Sequence, residues 1–135
     1  MTCKAYFDGA CFLNYCGIGY VIRDPEGFNI WKASEYVGRG DALGAEYWAL
    51  MALLRRLSLL RIQHAVICGD SRTVVCQVSG QVNTRATNRF RKVIFTARQF
   101  LREHPGWALK WIPRAENGLA DSLATESLSA IKTKD

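Results

Sequence analysis

The sequence predicts a mixed α/β fold: a five-stranded sheet, three antiparallel strands followed by two parallel ones, flanked by helices. Two patterns support this. The first 40 residues hold three runs rich in β-branched and aromatic residues, separated by turn signals. The remainder alternates helical periodicity with short apolar runs, the arrangement that builds parallel strands with crossover helices.

Cys3 to Asp8 is predicted as the first strand and Cys16 to Asp24 as the second. Pro25-Glu26-Gly27 supplies turn chemistry, and Phe28 to Val37 returns as a third strand. Gly38-Arg39-Gly40 breaks this meander. Asp41 is an N-cap residue for a long helix reaching about Leu60, with Leu50, Leu53, Leu54, Leu57 and Leu60 at helical spacing. Glu46 lies four and seven residues before Leu50 and Leu53, which places it on the inward face at the rim of the core. Ala65 to Gly69 is a short strand ending at Asp70, followed by a helix from Ser71 to about Val78 that Gly80 stops. A second long helix is expected over Ala86 to Glu103, with Phe90, Ile94, Ala97 and Leu101 on one face. Pro105-Gly106 ends it, Trp107 to Ile112 is the fifth strand, and Asn117 to Ile131 is a final helix. Without repeats or linkers, residues 1–135 read as one domain.

Composition narrows the class. The chain is 49% hydrophobic, enough for one packed core. No apolar run approaches the ~20 residues that cross a bilayer, so no membrane partner is expected. The start enters a strand directly, without a signal-peptide pattern, so the cytoplasm is the expected compartment. Five cysteines, an odd number, then point to reduced thiols rather than a disulfide framework. Cys11 and Cys16 lack a second pair at zinc-site spacing. The net charge is +6, and between Arg85 and Arg114 eight basic residues face Glu103 alone. One stretch thus supplies the whole positive excess, and its natural partner is a polyanion.

Four acids interrupt or end apolar segments: Asp8 in Tyr-Phe-Asp-Gly-Ala, Glu46 in Gly-Ala-Glu-Tyr-Trp, Asp70 in Ile-Cys-Gly-Asp-Ser, and Asp121 in Gly-Leu-Ala-Asp-Ser-Leu-Ala. Singly, each has an ordinary reading as a turn, a cap or a helix-dipole charge. Converged at the carboxyl ends of strands, they would repel one another unless divalent ions sat among them. Hydrolysis of a phosphodiester needs an activated water and a stabilised leaving oxygen, and two ions about 4 Å apart provide both. Carboxylate ligands select hard cations, hence Mg2+, with Mn2+ as a substitute.

Phe-Asp-Gly-Ala with Gly17-Ile18-Gly19-Tyr20, Ala45-Glu46-Tyr47-Trp48-Ala49-Leu50, Asp70-Ser71, and Pro113-Arg114-Ala115-Glu116-Asn117 with Ala120-Asp121-Ser122-Leu123-Ala124 occur in that order. These motifs resemble the ribonuclease H type 1 family over nearly the whole chain, particularly its plant reverse-transcriptase-like and short prokaryotic forms without a basic handle insertion. The resemblance implies a ribonuclease H-like fold and an endonuclease cutting the RNA strand of an RNA/DNA hybrid, leaving 5′-phosphate and 3′-hydroxyl ends. It implies two Mg2+ ions held by Asp8, Glu46, Asp70 and Asp121 as the catalytic acids. Asp8 and Asp70 would hold the ion that activates water; Glu46 would hold the other and sense the 2′-hydroxyl. Gly9, Asn14, Ser71, Arg72, Arg85, Arg89, Lys92 and Asn117 are the substrate-binding candidates, and a monomer is expected. The chain departs from the family at Ala42 and Leu43, where Asn is common, and at Arg72, where Gln is common. It also has no His between Trp111 and Asp121. The runner-up reading is a weak or inactive nucleic-acid-binding module on the same fold.

Overall fold

A computed structural model of the chain describes residues 1–132. Five strands form one sheet in the order β3-β2-β1-β4-β5: β1 Cys3–Phe12, β2 Tyr15–Arg23, β3 Asn29–Arg39, β4 Ala65–Gly69 and β5 Trp107–Trp111. β1, β2 and β3 pair antiparallel, while β1–β4 and β4–β5 are parallel. This is the mixed sheet that the sequence predicts. Its helices are α1 Ala42–Leu59, α2 Arg72–Ser79, α3 Arg91–Glu103, α4 Gly118–Glu126 and α5 Ser129–Lys132, with a 3-10 turn at Arg114–Glu116.

The two faces of the sheet are covered by different helices. On one, Phe7, Ile18 and Ile22 pack against Leu50, Leu53, Leu54 and Leu57 of α1, all essentially without solvent contact. The α1 helix begins where Asp41 accepts a hydrogen bond from the Gly44 N–H at 2.8 Å, satisfying one orphan donor of its first turn. On the other face α4 lies directly on β2: a Cβ added at Gly19 would meet the Ala120 carbonyl oxygen at 2.4 Å. Only glycine permits that approach. Among the described residues no helix is long and apolar enough to cross a membrane.

Four expectations need correction. β1 runs on to Phe12, so Asp8 lies within a strand instead of at its end. The helix expected from Ala86 starts at Arg91, which leaves Arg85 and Arg89 in the connection before α3. That connection is held by Arg98, a member of the basic stretch. Its guanidinium donates to the Gln77 carbonyl at 2.6 Å and to Thr84 Oγ1 at 3.0 Å, so Arg98 is a structural cation. The single helix expected over Asn117 to Ile131 is instead α4 and the short α5. Finally, Cys11 and Cys16 form a disulfide, against the expectation of reduced thiols; Cys3, Cys68 and Cys76 are free. The two half-cystines are directly opposed in the β1–β2 register, a local consequence of a two-residue turn at Leu13 and Asn14, both at positive φ.

Candidate active site

The site sits where the sheet changes from antiparallel to parallel pairing. β4 pairs with β1 only as far as Tyr6↔Cys68, whereas β1 continues with β2 through Asp8↔Gly19 and Gly9↔Ile18. The flank of β1 is therefore open at Asp8, and carboxylates from both faces meet around that edge. Glu46 arrives on α1, which packs so closely that a Cβ on Gly9 would fall 2.4 Å from the Ala45 carbonyl carbon. Asp70 follows the last residue of β4. Asp121 arrives on α4, anchored over Gly19, the register partner of Asp8.

Oxygens of Asp8, Glu46 and Asp70 lie within 4.8 Å of one another. Asp121 stands outside this trio, but its charge reaches Asp8 and raises the Asp8 pKa. Asp8 is 4% exposed and Glu46 9%. The Gly9 N–H donates to Asp8 Oδ1 at 3.0 Å and to Glu46 Oε1 at 3.2 Å. Gly9 thus serves the acids through its backbone. Glu46 Oε2 is buried without a hydrogen-bond partner. Such an orphaned carboxyl oxygen among hard oxygen donors fits a divalent cation.

Burial pushes the Asp8 carboxyl up to about 6, with the Asp70 and Asp121 charges adding to it and the hydrogen bond with Glu46 opposing it. Burial also pushes Glu46 up to about 10, helped by its hydrogen bond and charge repulsion with Asp8. Burial and mutual repulsion thus favour a protonated form of the metal-free pair. Both pKa values are raised on folding, so at a pH above the unfolded carboxyl range the unfolded state binds fewer protons than the folded one. Stability of the metal-free protein is then lost as pH rises from about 4 upward. In EDTA, the wild-type Tm at pH 8 is expected to lie about 5 °C or more below its value at pH 5. Glu46→Gln should shrink that difference. A Tm that climbs over the same interval, measured by circular dichroism, would show that the acids do not crowd one another.

Asn117 was expected at the substrate surface, but the structure encloses it at 1% exposure. Its Nδ2 donates to the Phe7 carbonyl and to Asp70 Oδ2, both at 2.9 Å. Its backbone carbonyl accepts from the Asp121 N–H at 3.0 Å. The buried side-chain amide therefore joins the backbone beside Asp8 to the Asp70 carboxylate, while the main chain of the same residue starts the turn bearing Asp121. Trp111 adds a second tether by donating its Nε1–H to the Asp70 carbonyl at 3.1 Å. Sequence reading missed this tether, because an aromatic ending a strand ordinarily reads as core.

The other substrate candidates separate by environment. Ser71 caps α2, its Oγ accepting from the Val74 N–H at 3.3 Å. Arg72 stacks on the Trp111 ring at 3.9 Å, beside Asp70. Asn14 occupies the exposed β1–β2 turn, which is tied to the start of α1 by the Gly40 N–H donating to the Asn14 carbonyl at 2.9 Å. Arg89 forms an ion pair with Asp41, the α1 cap, whose carboxyl is held below its ordinary range by the Gly44 N–H and then by Arg89. Arg85 and Lys92 are exposed on either side of Arg89.

Residues 6–127 match the family model described as reverse transcriptase-like. The ribonuclease HI of Halobacterium salinarum is 33% identical over 126 residues; the match covers 92% of this chain and 63% of that protein, so the chain spans under two thirds of its curated relative. The crystal structure of ribonuclease H1 from that halophilic archaeon superposes with a TM-score of 0.88 at 31% identity, covering 96% of this chain and 99% of that one. LC11-RNase H1, solved in complex with an RNA/DNA hybrid, superposes with a TM-score of 0.85 at 26% identity, covering 96% and 98%.

Proposed function

The chain belongs to the reverse transcriptase-like family, on the ribonuclease H type 1 fold, and from that membership we propose that it is an endoribonuclease hydrolysing the RNA strand of RNA/DNA hybrids. The observation that carries the reading is the convergence of Asp8, Glu46 and Asp70 within 4.8 Å at the open flank of β1. The hybrid bound by LC11-RNase H1 supports the substrate class.

Asp8, Glu46, Asp70 and Asp121 would hold two Mg2+ ions, with Mn2+ as a substitute. Bound there, the ions would supply water activation and stabilisation of the leaving oxygen, giving 5′-phosphate and 3′-hydroxyl products. The protein's own contribution is positional. The Gly9 N–H aims Asp8 and Glu46, while Asn117 and Trp111 fix Asp70. Glu46, on the helix side of the cluster, would meet a 2′-hydroxyl, the group that distinguishes RNA from DNA. Arg72, stacked on Trp111 beside Asp70, would meet the backbone of the strand being cut.

Cleavage of an end-labelled hybrid with Mg2+, beside an EDTA control and matched RNA and DNA duplexes, tests the proposal. Metal-dependent internal cuts confined to the RNA of the hybrid are expected. Hybrid binding without cutting would leave a binding module. Replacing both Arg85 and Lys92 by Gln, which spares the Arg89–Asp41 pair, should raise KM and flatten the dependence of log K on log salt by about two units if each meets a phosphate. An unchanged slope would make them merely solvated.

A further inference from the structure

Beside the start of α1 lies a groove of about 600 Å³ whose lining omits all four acids. Gly44, Trp48, Met51 and Arg55 line it at helical spacing, so one stripe of α1 forms its wall. Glu46, on the same helix, turns instead toward Gly9 and Asp8. The groove thus begins within a turn of the candidate active site but is separate from it.

Three properties define what the groove fits. Its interior is apolar, with Val37, Met51 and Phe90 among the lining residues. Trp48 stands in the wall at 51% exposure, presenting a large flat ring to solvent. Arg39, Arg55 and Arg89 line it against a single acid, Asp41, whose carboxylate is already engaged by Arg89 and the Gly44 N–H. An apolar slot with an exposed indole and surplus guanidinium groups suits an unpaired nucleobase carrying its phosphates. Bases paired within a hybrid keep their faces inside the stack, so only a single-stranded segment can offer one. An apolar protein segment would fill the slot but leave the arginine rim unanswered.

We propose that this groove binds an unpaired base of a single-stranded segment continuing from the hybrid, stacked on Trp48 with adjoining phosphates along Arg39 and Arg55. The site lets the enzyme favour hybrids next to single-stranded nucleic acid, such as those at junctions, over blunt ones. This rests on the hybrid-binding reading above and assigns it a second, sequence-tolerant contact.

The test is fluorescence anisotropy in EDTA, where no cutting occurs. The probes are a blunt hybrid, hybrids with a short thymidine DNA extension at either end, and the same extensions made of abasic sites. An extension of one polarity should tighten binding ~10-fold or more, in line with ~1–3 kcal/mol per stacked base. The abasic extension should lose that gain. Trp48→Ala, checked for folding by circular dichroism, should bind the blunt hybrid as wild type does and gain nothing from the extension. Equal affinity for all probes, or a gain that survives Trp48→Ala, would overturn the proposal. Free oligothymidine separates this failure from failure of the hybrid reading. Quenching of tryptophan fluorescence by that oligonucleotide, lost in Trp48→Ala, reports the groove alone, whereas absent blunt-hybrid binding speaks against the function.

Discussion

Asp70→Asn is expected to leave the fold intact and reduce hybrid cleavage by ~10³-fold or more, the loss of several kcal/mol of charge stabilisation at the reacting centre. The fold survives because asparagine has nearly the same shape. An amide oxygen at position 70 can still accept from Asn117 Nδ2, and the Asp70 backbone carbonyl keeps the Trp111 donor. The negative charge is what disappears. A neutral amide is a poor ligand for a hard divalent cation. Removing the charge also relieves the repulsion that Asp70 exerts on Asp8 and Glu46, so the variant should be at least as stable as wild type without metal. Two measurements decide the matter together: kcat/KM on a hybrid, and Tm in EDTA. An unchanged Tm with lost cleavage assigns Asp70 to the chemistry. A wild-type rate would remove it from the site.

Asp8, Glu46 and Asp70, the three acids that converge, were legible in the sequence because each carries its signature locally: a carboxylate within or just after an apolar run, where burial without a partner is costly. Asp8 illustrates the limit. Its context was right but its placement was not, because the length of β1 depends on pairing with β2 well beyond the point where β4 stops. Asn117 shows a different limit. Next to a helix start, an asparagine reads as a cap or a surface contact, and its burial appears only when α4 is set down on Gly19. Cys11 and Cys16 were assigned by counting thiols, yet their pairing follows from hairpin register, which the turn at Leu13 and Asn14 sets. Arg98 belonged to a basic stretch by sequence, but it spends its donors on the carbonyl of Gln77 and the hydroxyl of Thr84. In each case the missing information is which group the folded chain sets opposite the residue.

Asn117→Ala is the second large effect expected. The substitution deletes two donors at once, leaving the buried Phe7 carbonyl and the half-buried Asp70 Oδ2 without them and opening a gap under α4. Loss of about 2–3 kcal/mol of stability follows from the unsatisfied groups. Loss of orientation at Asp70 should weaken divalent-metal binding by about 10–100-fold, as for other groups that hold a metal ligand in place. The two roles open to Asn117 predict different kinetics. A residue that contacts substrate would raise KM and leave metal affinity, read by calorimetry, unchanged. A residue that holds Asp70 should shift the metal titration and lower kcat, with KM measured at saturating metal little altered. Asn117→Asp sharpens the distinction. It keeps the volume but sets a carboxylate against Asp70 Oδ2, adding repulsion to a cluster already short of cations. Its Tm in EDTA should therefore fall further than that of Asn117→Ala as pH rises, and divalent metal should recover part of the loss. A KM effect alone, with metal affinity unchanged in both variants, would return Asn117 to the substrate surface.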